Sequence, residues 1–146
     1  MQISEASLVH QLIHFEAGDR LETKKSLVQY LTYGITDSDA ESFFIVCMSP
    51  QRRPICRTHI KTGMLVASRI GTADIFLPLL LAEAKTFACL RTQPLGSVRP
   101  SLADGRLLYL MRETGRMIGI QLVDYLITRL GSDEVYSWRE NDHCRY

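Results

Sequence analysis

His10 and His14 stand four residues apart, the spacing that places two imidazoles on one face of a helix where both can reach one zinc ion. His143 and Cys144 offer two further donors near the other end of the chain. Neither pair brings the carboxylate base that metal-dependent hydrolysis needs, so a surface helix with two histidines and a polar tail accounts for them more simply. The four cysteines, Cys47, Cys56, Cys89 and Cys144, form no C-x-x-C pair. They read as free thiols, with Cys47 and Cys89 buried in apolar runs as small hydrophobes. No G-x-S-x-G elbow or matched Cys and His context supports a covalent nucleophile. One stretch remains, from Arg91 to Asp104: Arg-Thr-Gln-Pro-Leu-Gly-Ser-Val-Arg-Pro-Ser-Leu-Ala-Asp.

The elements around that stretch follow from periodicity. Apolar positions Leu8, Leu12 and Ile13 predict a helix over Ser7 to Phe15, and Leu27, Val28 and Leu31 a second over Lys24 to Tyr33. Ser42 to Met48 is a β-forming apolar run, separated by Pro50-Gln51-Arg52-Arg53-Pro54 from a partly alternating run, Ile55 to Ile60; together they predict a hairpin. Thr72 can cap a helix containing Asp74, Ile75, Phe76, Leu79 and Leu80, although Pro78 implies a late start or a bend. Thr86 to Leu90 reads as a buried strand delivering Arg91 at its C-terminal end, where open α/β sheets place their sites. Ser101 with Asp104 three residues on is a capping-box start for a long amphipathic helix that Gly119 ends. Ile120 to Ile127 and Val135 to Trp138 are the closing strands.

At 146 residues, with 46% hydrophobic and 23% charged residues, the chain has the balance of one globular domain. Residues 1–38 read as a helical segment packed on a domain of residues 39–140, with 141–146 a tail. No basic, apolar leader opens the sequence, and the apolar run Ile75 to Ala82 is too short to span a membrane, so the expectation is a soluble, cytoplasmic protein with no membrane partner. The net charge of +1 gives no global case for nucleic acid. Arg52, Arg53, Arg57, His59 and Lys61 form a local basic cluster that a solvated hairpin explains.

The Arg91 stretch resembles the metal-binding motif of the JAB/MPN metalloprotease superfamily, most closely its RadC branch, which reads His-x-His-Pro-x-Gly, a spacer, then Pro-Ser-x-x-Asp. Pro94, Gly96, Pro100, Ser101 and Asp104 fall at the matching spacings. Arg91 and Gln93 occupy the two histidine positions, and Leu95 the usual serine position. Similarity extends in order over Asp39 to Glu140: Glu41 and the strand after it, Asp74-Ile75-Phe76, Gly119 to Asp124, and Val135 to Glu140. Where the family follows the aspartate with histidine, this chain has Tyr125. The resemblance implies a mixed α/β fold, a twisted mixed sheet flanked by helices with cytidine-deaminase-like architecture. It also implies a zinc held by two histidines and an aspartate, with a glutamate activating water.

Of that set only Asp104 and Glu41 remain, as remnants of ligand and base, so no catalytic residue, metal or cofactor is expected. Two carboxylates without imidazole make a poor zinc site, and a guanidinium cannot coordinate. Arg91 can instead replace the missing cation by pairing with Asp104, and with Glu41 if it reaches; otherwise Arg91 points to solvent and Asp104 merely caps its helix. The reading that follows is a RadC-like JAB/MPN protein without its zinc site, leaning away from an enzyme and serving as a protein-binding or scaffold module. Arg91, Gln93, Leu95 and Arg99 form its candidate binding loop, and a protein partner or self-association as a homodimer its expected company. The alternatives are a metal-dependent hydrolase of JAMM type using an unrecognised ligand set, and a nucleic-acid accessory protein, which the DNA-repair label attached to the family suggests.

Overall fold

The computed structural model describes residues 19–36 and 40–142. The helix expected over Ser7 to Phe15, with His10 and His14, lies outside the described residues, as do Asp37 to Asp39, His143 and Cys144. Helix α1 (Lys24–Thr32) begins at a reciprocal cap: the Thr23 hydroxyl accepts the Ser26 amide, and the Ser26 hydroxyl accepts the Thr23 amide. Nine residues are too few for a helix to persist alone in water. Packing secures it, since Leu27, Tyr30 and Leu31, at helical spacing, are buried against the sheet at about 1.5–3 kcal/mol for a large apolar side chain.

Strands β1 (Ser42–Met48) and β2 (Pro54–Thr62) form the expected antiparallel hairpin. The Ser49 hydroxyl organises its turn by accepting the amides of Gln51 and Arg53, which lets Arg52 take a left-handed conformation. A short 3-10 turn (Val66–Arg69) leads to α2 (Thr72–Leu81). Thr72 is the first helical residue rather than the cap: Gly71 holds that position, and the Asp74 carboxylate accepts its amide at 2.8 Å. Pro78 sits inside a helix that has started on time.

Strand β3 (Thr86–Thr92) runs two residues further than expected and is buried throughout, so Arg91 belongs to the strand and not to the loop after it. Helix α3 (Leu102–Ile118) crosses over to β4 (Gln121–Thr128), which lies parallel to β3; Gly119 ends the helix with φ 79°, a conformation that suits a residue without Cβ. β5 (Val135–Ser137) pairs antiparallel with β4, and α4 (Trp138–Asp142) begins at Trp138, which the sequence reading had placed in the strand.

The five strands form one mixed sheet in the order β2-β1-β3-β4-β5. Period-2 alternation sends Phe43, Ile45, Phe87, Cys89, Tyr125 and Ile127 into a core with residues of α2 and α3. Phe44, Val46, Ala88, Leu90 and Leu126 point the other way into a second core with α1. No helix among the described residues is long and apolar enough to cross a membrane.

Candidate functional site: a carboxylate plugged by arginine

Arg91 continues the series Phe87, Cys89 on the face of β3 that α3 covers, and its register neighbours are Phe43 on β1 and Ile127 on β4. A cation there needs a built-in partner, and Asp104, in the first turn of α3, supplies it. The pair is bidentate: Nε donates to Oδ1 at 2.8 Å and Nη2 to Oδ2 at 2.7 Å, with both side chains almost wholly buried. Nη1 donates to Oε1 of Gln93.

Asp104 is shared further. The Tyr125 hydroxyl donates to Oδ1 at 2.6 Å, while the Ser101 amide and hydroxyl donate to Oδ2 at 2.7 and 3.0 Å. The Ser101 hydroxyl accepts the Asp104 amide in return, completing the capping box. Pairing and capping, treated as alternatives from sequence, therefore coexist in one carboxylate. Burial pushes its pKa up, but the hydrogen bonds from Arg91, Tyr125 and Ser101 outweigh that and hold it below the ordinary carboxylate value. Burial alone would lower the Arg91 pKa, and Asp104 reverses that shift to a net rise.

Glu41 acts on the pair only through its charge, which adds to the rise in the Arg91 pKa. Its carboxylate accepts the Val66 amide at 3.1 Å and so caps the 3-10 turn, although it lines the same cleft as Arg91. That cleft, about 420 Å³, is bounded by Glu41, Leu65, Ala67, Arg91, Arg99 and Leu102 among others. The loop leaving β3 is braced from within, Gln93 Nε2 donating to the Leu95 carbonyl at 2.8 Å and Arg129 to that of Gly96 at 3.1 Å. Leu95 is 80% exposed and Arg99 is exposed, whereas Gln93 is half-buried. Arg91 is 5% exposed and lies at the floor of the cleft, its Nε, Nη1 and Nη2 each donating to an acceptor within the domain.

These residues do not fit a catalytic zinc, which needs three protein ligands and an open position. Asp104 already accepts five donors on oxygens with about four lone-pair directions, from a guanidinium, a phenol, a hydroxyl and a backbone amide. Among the described residues no group of three or more His, Cys, Asp or Glu side chains could hold a metal.

The basic cluster on the hairpin is divided among separate tasks. Arg57 is buried, its Nη1 donating to the carbonyls of Tyr30, Leu31 and Tyr33 at the end of α1. His59 stacks on Phe44 and bonds Thr62, and Lys61 donates to the Arg69 carbonyl. A second buried carboxylate, Asp124, was named from sequence only as part of a matching segment and given no role. It accepts the Ser137 hydroxyl at 2.6 Å and the amides of Tyr125 and Arg139, tying β4 to the start of α4. Burial outweighs those bonds and raises its pKa. An acid in the middle of an apolar strand was the available signal.

A mixed sheet flanked by helices, with a strand, a Pro- and Gly-containing loop and an Asp-capped helix converging on one buried carboxylate, is consistent with a JAB-type fold. The family model of the RadC-like JAB domain matches residues 21–143, and the chain belongs to that family. UPF0758 proteins of Chlorobaculum parvum and Chlorobaculum tepidum are 24% and 26% identical to it over 143 residues, covering 97% of this chain and 64% of each relative. A UPF0758 protein of Rubrobacter xylanophilus is 29% identical over 97 residues, 66% of this chain and 43% of its own length. The chain thus spans less than two thirds of the length of these relatives.

Proposed function

We propose that this RadC-like JAB domain is a non-catalytic, cytoplasmic binding module whose cleft receives a segment of a protein partner or of a second copy of the chain. The observation that carries this reading is the bidentate Arg91–Asp104 pair, which engages the remaining ligand-type carboxylate with a cation unable to coordinate or to activate water. Fold kinship supplies the scaffold and leaves activity to the site. The cleft's margin supports binding: Leu65 and Leu102, which line it, are 69% and 95% exposed, Met64 is 83% exposed, and Leu95 stands out on the neighbouring loop with Arg99. Large apolar side chains gathered beside polar ones on rigid loops are characteristic of contact surfaces. Cys47, Cys56 and Cys89 are buried and form no disulfide in the structure, as suits a reducing compartment.

Elemental analysis of untagged protein dialysed against trace zinc tests the first half of the proposal. The expected content is under about a tenth of an equivalent, and a value near one would overturn it. Leu102→Glu tests the second half: it should weaken association, read by sedimentation across a concentration series or with an identified partner, without lowering the melting temperature.

A further inference from the structure

Cys47 and Cys56 are direct register partners across the β1–β2 pair, and both side chains enter the same core. Opposed residues of antiparallel strands have Cβ atoms about 4.5–5.5 Å apart, against about 3.5–4.5 Å in a disulfide, so a shift of about an ångström joins them. Such a shift is accessible here. β2 is the edge strand, bonded to the sheet on one side, and the pairing is already irregular between Cys47 and Met48. The two thiols lie within hydrogen-bonding reach, Cys56 being the foremost influence on Cys47. Cys89, the third described thiol, is directed instead at the Met111 sulfur, 3.4 Å away.

We infer that Cys47 and Cys56 are a latent dithiol–disulfide pair, oxidised by a hydroperoxide to a cross-strand bond that locks the edge strand onto β1. Cys56 is the entry point, being 7% exposed where Cys47 is 0%. Its thiol loses a proton and its sulfur attacks the peroxide; the O–O bond breaks, leaving a sulfenic acid on Cys56 and, from hydrogen peroxide, one water. The Cys47 sulfur then attacks the sulfenic sulfur, the S–S bond forms, the S–O bond breaks, and the Cys47 proton leaves with the oxygen as a second water. Two thiols and one hydrogen peroxide give one disulfide and two waters. Burial disfavours the thiolates, so the reaction waits on fraying of β2 and is slow beside that of an exposed cysteine.

The test uses the full chain, native and reduced, treated with hydrogen peroxide, alkylated and digested with trypsin without reduction. Cleavage after Arg52 puts the two cysteines on separate peptides that only a disulfide can hold together. The expected product is that linked pair with Cys89 still alkylated, and a melting temperature raised by several degrees and restored by dithiothreitol. Recovery of Cys47 and Cys56 as free thiols or as sulfinic and sulfonic acids, or linked to other cysteines, overturns the inference. Under the same treatment, Cys56→Ala should keep Cys47 alkylatable, and oxidation of Cys47 at an undiminished rate in that variant overturns it equally.

Discussion

Replacing Arg91 by methionine removes the cation while keeping most of the side-chain volume, and so isolates the electrostatic part of the Arg91–Asp104 pair. The variant leaves a carboxylate that is 1% exposed with three of its five donors, the Tyr125 hydroxyl and the Ser101 amide and hydroxyl. Breaking a buried ion pair from one side costs about 3–5 kcal/mol, and the surviving donors put this case near the lower end, about 3 kcal/mol. At about 2–4 °C per kcal/mol for a domain of this size, the melting temperature should fall by roughly 6–12 °C. The deficit also has a pH signature. In the native protein the Asp104 pKa is depressed, so its contribution is present above the unfolded carboxylate value, about 3.9, and is lost as pH falls through the folded value. Without Arg91 the burial penalty dominates and the folded pKa rises, so protonation relieves the variant first. The gap between the two proteins is therefore widest near neutral pH and narrows on acidification. Urea denaturation from about pH 7 down to pH 4 measures it. Adding Asp104→Asn, which removes the stranded charge and retains a helix-capping side chain, should recover much of the loss. An R91M variant within about 0.5 kcal/mol of the parent, or a deficit independent of pH, would refute the claim that Asp104 is ionised and held by Arg91.

Tyr125→Phe removes one donor from an otherwise saturated carboxylate and should cost about 1.5 kcal/mol, the low end for a hydrogen bond to a charged group, in the same denaturation assay. Arg57→Met strips the end of α1 of a donor shared by three carbonyls, and should accelerate hydrogen exchange across Lys24–Thr32 while leaving β3 and β4 protected. Glycines within α3 separate cleanly. A Cβ at Gly115 would sit 2.2 Å from the Ile120 carbonyl oxygen, so Gly115→Ala should destabilise by about 1–3 kcal/mol. Gly105→Ala, with nothing within 4 Å, should stabilise by about 0.5–1 kcal/mol, as calorimetry of the two variants will show.

What could be read in advance was whatever rests on local chemistry. The Ser101–Asp104 cap, the Gly119 stop and the hairpin across Pro50 to Pro54 each depend on a few adjacent residues, and each is present. Extending β3 through Arg91 and Thr92 was harder, because a cation looks like the end of a strand until its partner is known, and that partner lies thirteen residues away. Tyr125 was noticed as a departure from the family's pattern but given no role; only the pairing of Cys89 with Tyr125 brings it beside Arg91's face of the sheet. Glu41 drew attention for what relatives do with the matching glutamate, whereas here its partner is the Val66 amide. The basic cluster was legible as a hairpin but not in its burial: strand geometry gives Arg57, His59 and Lys61 different partners and takes Arg57 out of solvent.

Because β3, β4 and the start of α3 all meet at Asp104, the arrangement has evolutionary inertia. A histidine at position 91 surrenders two bonds to that carboxylate, and one at position 125 surrenders another, long before any ligand set is complete. A change at either position therefore costs stability before it can bring any new chemistry. Substitutions at Leu65, Leu95 or Leu102 disturb no such network, so the rim of the cleft tolerates change that its floor does not.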